Sequence, residues 1–286
     1  MPGFTSVADI ADAVAAGRSH TCHIRKVPSQ ATVAGWWADL SMASGNPLPN
    51  YYASAPLEAA TLNGFRGIFH GDDKSPSSKH LLSWGLMSPT AGFVGQFILC
   101  DYLLYYPFVD GDSLDEQTMI QTETIPRYTD GDGVKAMAVA VAPTTGSGQF
   151  RFTYVNQDGD TKVSPTQFCT TTAANITNIA TSQQAVTGSA GGAFLTLAAG
   201  DTGIRSITSA TFTVANGGLL ALVLVRPLTS LAIREVNTMA ENNLVRQRPG
   251  APRIYDDAYL GMIVNTAATI ASGTLAGYFT FVWSDD

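Results

Sequence analysis

The sequence predicts a mainly β protein, built of antiparallel β-sandwich or jelly-roll-like units with a short N-terminal helix. Three observations predict it. From about residue 134, short β-rich runs recur at 134–141, 150–155, 194–197, 207–214 and 219–225. Glycine-bearing turns separate them, at 146–148, 157–160, 200–203 and 216–218. Charged residues make up only 14% against 45% apolar, with 27 Gly and 14 Pro, which argues against a coiled coil, a helical repeat or a disordered tail.

The helix comes first. Ser6 and Asp9 stand at capping-box spacing, with Asp in place of the usual Glu. Val7, Ile10, Ala11 and Val14 follow the helical period, and Gly17 sits where a glycine stop belongs. This helix either packs on its own domain or serves as an arm on a neighbouring subunit. Residues 20–40 read as strands, with His20, Cys22 and Ile24 alternating against Thr21, His23 and Arg25. Trp36 and Trp37 are adjacent, so an extended chain sends one into the core and the other to a second surface. Residues 43–64 form a long loop containing Tyr51 and Tyr52; loops of this length often bind something. Further strands are expected at 65–69, 81–87 and 97–108, the last carrying Tyr102, Tyr105, Tyr106 and Phe108. Residues 175–185 and 236–247 are candidate helices, and strands at 258–264 and 277–283 finish the chain. The domain reading is a base domain from 1–128 plus 236–286, with an inserted sandwich at 129–235.

Composition excludes several function classes. The net charge is −7, from 16 basic and 23 acidic residues, and no basic run supplies a nucleic-acid or membrane-binding stripe. The apolar stretches 219–225 and 258–264 are too short to cross a bilayer. Cys22, Cys100 and Cys169 are odd in number and far apart, so they read as buried free thiols of a chain made in a reducing cytoplasm rather than a disulfide framework. The N-terminus has neither a basic segment nor an apolar run, so no secretory signal is expected.

No chemistry-bearing motif emerges. Three Asp-Gly-Asp tripeptides, at 110–112, 130–132 and 158–160, read as turns, because the ligand spacing of a calcium loop fails. His20, His23, His70 and His80 lack the second cluster a zinc site needs. Residues 188–191 approach a nucleophile elbow but have the wrong spacing. Asp72-Asp73 and Asp256-Asp257 fall in polar stretches expected to be exposed. There is no phosphate-binding loop and no dinucleotide fingerprint. The expectation is therefore no enzymatic activity, no cofactor and no metal. Adjacent aromatics in an extended segment cannot all face one core, which raises the interface reading for them. The interface candidates are Val7, Ile10, Val14, Trp36, Trp37, Tyr51, Tyr52, Tyr105 and Tyr106.

Several stretches carry a resemblance: Ile125-Pro126-Arg127-Tyr128-Thr129-Asp130-Gly131, the segment 197–206, Pro252-Arg253-Ile254-Tyr255-Asp256, Lys79-His80-Leu81-Leu82 and Leu103-Leu104-Tyr105-Tyr106-Pro107. Together they resemble virion structural proteins of tailed bacteriophages, of the minor capsid or head-decoration type. The resemblance spans most of the chain and carries no catalytic residues. It implies particle assembly at the head or head–tail region, in a chain made in the bacterial cytoplasm. The major capsid fold needs a long spine helix, for which no candidate exists here. An accessory capsid decoration or cement protein fits better. Its partners would be the major capsid protein and copies of itself, often as a trimer at quasi-threefold sites. The alternative is a tail, spike or fibre component recognising a host-surface carbohydrate or protein. Exposed aromatics beside a groove would favour the alternative, and flat apolar patches the decoration role.

Overall fold

The computed structural model describes residues 3–28, 30–62, 64–182, 192–245, 250–270 and 273–285. Among the described residues one α-helix, α1 (Val7–Ala15), is followed by sixteen strands and two single 3-10 turns. The first half holds β1 (Ser19–Val27), β2 (Trp37–Asp39), β3 (Ser44–Asn46), β4 (Lys79–Met87), β5 (Gly95–Asp110), β6 (Gln117–Thr118), β7 (Lys135–Ala142) and β8 (Gln149–Asn156). The second holds β9 (Thr161–Val163), β10 (Gln167–Phe168), β11 (Ile204–Val214), β12 (Leu219–Ile233), β13 (Ala240–Asn243), β14 (Arg253–Ile254), β15 (Tyr259–Thr266) and β16 (Leu275–Trp283). Every strand pair is antiparallel.

Three sheets result. The central sheet has the order β2-β15-β5-β12-β7. One outer sheet runs β13-β4-β16-β1-β3, with β14 also on β4; the other runs β10-β8-β11-β6, with β9 on β8. Side-chain alternation shows how they stack. Along β15, Leu260, Met262 and Val264 join a core with Leu81, Trp84, Leu86, Phe279 and Phe281 of the first outer sheet. Along β7 and β12, Ala136, Ala138, Leu220, Leu222 and Leu224 join a core with Phe150, Phe152, Ile207 and Phe212 of the second. The intervening residues Met137, Val139, Ala221, Val223, Tyr259 and Ile263 all enter a third cluster with Met42, Tyr52 and Ile179. Both outer sheets therefore pack on one face of the central sheet, and the third cluster, which takes in Met42, Tyr52 and Ile179 from connecting segments, fills its other face.

The central sheet also closes on itself. Residues 177–180 lie between β2 and β7 and bond to both. Asp39 N–H donates to the Thr177 carbonyl at 2.8 Å, and Ile179 N–H to that of Trp37 at 2.9 Å. On the other side Ala140 N–H donates to Asn178 at 2.9 Å and Ala180 N–H to Ala138 at 2.8 Å. A ring of hydrogen bonds removes both edges of the sheet, which an open sheet would present as pairing templates.

The helix forms as its sequence dictates. Ser6 caps it, both halves of the box with Asp9 are present, and Gly17 takes a left-handed φ of 75° just beyond it. The β-rich expectation holds, but four local expectations do not. Residues 65–69 do not form a strand: Gly64–Arg66 is a single 3-10 turn closed by Gly67 N–H on Gly64 O at 3.0 Å. Residues 194–197 belong to no strand; Leu195 N–H reaches Ala136 O at 2.8 Å as an isolated bond. Residues 236–245 are not helical. Asn237 has a left-handed φ of 59°, its N–H goes to Ser88 O at 2.8 Å, and 240–243 pair with β4. Residues 175–182 form the closing segment rather than a helix, with Thr177 held at φ 79°. The rest of these two expected helices, and residues 188–191, lie outside the described residues.

The expected division at 129 and 235 falls in loops, but it separates strands that pair with one another. β12 pairs with β5 from Leu219 against Asp110 to Ile233 against Gly95, and β6 of the second outer sheet precedes residue 129.

Candidate functional site

A surface cleft of about 660 Å³ lies between the 64–73 segment and the 256–258 turn. Its walls follow from the local backbone. Gly67 packs against the start of β15, where a Cβ would sit 3.1 Å from Leu260 N, and Ile68 N–H donates to Leu260 O at 2.8 Å. That anchorage buries Ile68 and leaves its neighbours outside. Phe65 is 99% exposed and Phe69 57%. Phe69 meets the His20 ring edge-on at 5.1 Å.

Beneath the cleft lies a buried polar network. Lys79, at the start of β4, is almost wholly buried and places Nζ 3.0 Å from Asp256 Oδ1 and 3.1 Å from His70 Nδ1. An ammonium has only donors, so His70 Nδ1 accepts and its Nε2–H donates to Ala258 O at 3.0 Å. Burial, then the adjacent Lys79 charge, lowers the His70 pKa to about 4. Asp256 also accepts the N–H groups of Lys74 and Ser75, both at 3.0 Å. These bonds outweigh its desolvation and hold its pKa below the ordinary value. The next residue joins a second pair. Arg127 is buried and grips Asp101 with Nε at 2.9 Å and Nη2 at 2.6 Å, while Nη1 reaches Asp257 Oδ2 at 2.8 Å. Asp72 and Asp73 stand exposed on the rim.

A third polar cluster lies on the loop-covered side of the central sheet. The fully buried Asp39 carboxylate accepts from Ser41 N–H (2.9 Å), Ser41 Oγ–H (2.5 Å), Tyr52 O–H (2.6 Å) and Tyr102 O–H (2.6 Å). Nearby, burial lowers the pKa of Lys26 to about 8, although Asp39 opposes the shift; Lys26 donates to the carbonyls of Ala43 (3.1 Å) and Pro47 (2.8 Å). These groups are saturated by their own chain and serve to fix the loops.

The sequence-derived interface candidates divide. Val7, Val14 and Tyr51 are exposed, with Ile10 and Trp37 partly so. Trp36, Tyr52, Tyr105 and Tyr106 are buried at 6% exposure or less and belong to the chain's own cores. Tyr105 and Tyr106 are adjacent on β5 and enter different clusters, because both faces of the central sheet are covered. Trp36 and Trp37 do part to different clusters, as adjacent residues of an extended chain should. The cysteines are free, with Cys100 and Cys169 buried and Cys22 partly buried. The Asp-Gly-Asp tripeptides form turns: Asp110 Oδ1 accepts from Asp112 N–H at 2.9 Å, Asp130 Oδ1 from Asp132 N–H at 3.2 Å, and Asn156 Oδ1 caps Asp158 and Asp160. Among the described residues no group of three or more His, Cys, Asp or Glu is placed to hold a metal ion. No described helix is long and apolar enough to cross a membrane. Asp256-Asp257 was legible only as a polar pair; nothing local in the sequence announces that Lys79 and Arg127 meet it.

No protein-family model matches the chain, and no curated protein matches it significantly. Among solved structures, the chain is aligned with VP2 of infectious bursal disease virus. The D431N mutant in T=1 particles is 10% identical over 94% of this chain and 79% of that one, with a TM-score of 0.16. A VP2 subviral particle is 9% identical over 93% and 80%, also at 0.16. Scores this low establish no common fold.

Proposed function

We propose that the chain is a non-enzymatic virion structural protein of a tailed bacteriophage, an accessory protein that coats and stabilises the head shell. Its partners are the major capsid protein and further copies of itself. The sequence resemblance motivates the reading, and one structural observation carries it. Helix α1 stands at the periphery against β16, and only Ala13 of it is buried. Val7 is 65% and Val14 43% exposed on the same stripe as Ile10, so an apolar face is left for a neighbour. The buried titratable groups described above are engaged in structural pairs, in keeping with a scaffold role.

The test is the copy number of the chain in purified virions, measured by quantitative mass spectrometry against the major capsid protein. About one copy per capsid subunit is expected if every subunit is coated. Absence from virions overturns the reading. Deleting residues 1–17 should weaken shell coating, and unchanged coating would remove the arm from the account.

A second reading is a tail, spike or fibre component that recognises the host surface. The exposed pair Phe65 and Phe69 beside a cleft favours it. A few copies per particle would favour it over coating.

A further inference from the structure

We propose that the cleft between residues 64–73 and 256–258 binds a neutral oligosaccharide, stacking sugar rings on Phe65 and Phe69 and receiving their hydroxyls on Asp72, Asp73 and Asp257. The proposal deepens the host-recognition reading and can be tested on the isolated chain, wherever the protein sits on a particle.

Volume comes first. About 660 Å³ lies within the roughly 300–1,000 Å³ typical of ligand clefts. Two aromatic side chains flank it, and one is almost wholly outside the fold. Phe65 at 99% and Phe69 at 57% exposure present apolar surface to anything that enters the cleft. The face of a pyranose ring presents C–H bonds, which are electropositive and fit the negative face of an aromatic ring.

The carboxylates decide the ligand class. Protein interfaces are depleted in Asp at their centres, whereas this cleft is lined by Asp72, Asp73, Asp256 and Asp257. Carboxylates are acceptors, and a polyhydroxyl ligand is a dense array of donors. Two of them are also held in position. Asp256 is fixed by Lys79 and two backbone N–H groups, and Asp257 places only Oδ2 on Arg127. Preorganised acceptors lose little freedom on binding. The exposed carboxylates of the rim would repel uronic or sialic acids, so the ligand is uncharged.

The test uses the full chain and three probes: maltotetraose, N-acetylchitotetraose and trigalacturonate, followed by isothermal titration and saturation-transfer NMR. One of the two neutral probes should bind saturably, and trigalacturonate should not. Phe65→Ala and Asp73→Asn change exposed positions and should keep the wild-type fold, checked by circular dichroism. Each should weaken binding at least about tenfold, the worth of one or two lost contacts. Val163→Ala, on exposed β9, should leave it unchanged. Neutral-sugar binding that survives both variants places the sugar elsewhere and overturns the proposal. So does equal binding of trigalacturonate, or no binding of either neutral probe at millimolar concentration. If no sugar binds while Phe65→Ala abolishes coating of particles, the cleft is a protein contact and the proposal is again overturned. Sugar binding by a chain absent from virions would sustain it while removing the virion reading.

Discussion

His70 occupies a position where a proton is unwelcome. Its Nδ1 faces the Lys79 ammonium, Arg127 adds a second positive charge, and the Phe281 ring lies 6.1 Å away; only Asp256 and the Ala258 carbonyl favour the imidazolium. The folded pKa of about 4 lies below the 6.5 of a free imidazole. Between those values the unfolded chain binds a proton that the folded chain refuses, so stability falls as pH falls. At pH 4.5 this single group should cost about 2–3 kcal/mol relative to pH 7. His70→Gln removes that dependence while keeping an amide that can bond Ala258 O. Denaturant unfolding at the two pH values should show the wild type losing that much more than the variant; parallel losses would mean that His70 titrates normally. Asp101 titrates in an overlapping range, because burial pushes its pKa up to about 6 against the pull of Arg127. It is present in both proteins and cancels in the comparison.

At the scale of elements, α1 is governed locally and the sheets are not. The Ser6–Asp9 box closes over four residues: Asp9 N–H donates to Ser6 Oγ at 3.2 Å, and Ser6 N–H to Asp9 Oδ2 at 2.9 Å. Ser6→Ala should speed amide exchange over α1 about fivefold, as expected for losing an N-cap. Because α1 stands apart from the three cores, the melting temperature should stay put; a shift in melting without faster exchange would tie the helix to the global fold. This local closure explains why the helix was legible in sequence. So were the runs 97–108, 207–214 and 219–225, whose apolar residues lie inside β5, β11 and β12. β13 was not legible, because Ala240-Glu241-Asn242-Asn243 has no β pattern and pairs with β4 only through tertiary contact. The closing segment 177–180 was hidden for the same reason: its partners Trp37–Asp39 and Ala138–Ala140 lie far away in sequence. The cleft was half legible. Asp72-Asp73 and Asp256-Asp257 stood out as carboxylate pairs, but Phe65 read as a strand residue until Gly64 and Gly67 turned it outward.

At the scale of the molecule, β5 and β12 decide how the chain unfolds. They are 16 and 15 residues long, and each contributes to all three apolar clusters, with Leu104, Phe97 and Tyr102 from β5 and Leu222, Ile233 and Val223 from β12. Separating residues 129–235 from the rest would strip β12 of β5 along its whole length. It would also expose Val223 and Val225, which are wholly buried against the third cluster. Neither sandwich can therefore open without exposing the core of the other. The full chain should melt in one calorimetric transition whose enthalpy equals the van't Hoff value. A fragment of residues 129–235, lacking β5 and β6, should fail to give dispersed NMR signals. Two resolved transitions, or a folded fragment, would show that the outer sheets are stabilised independently and that the shared central sheet couples them only weakly.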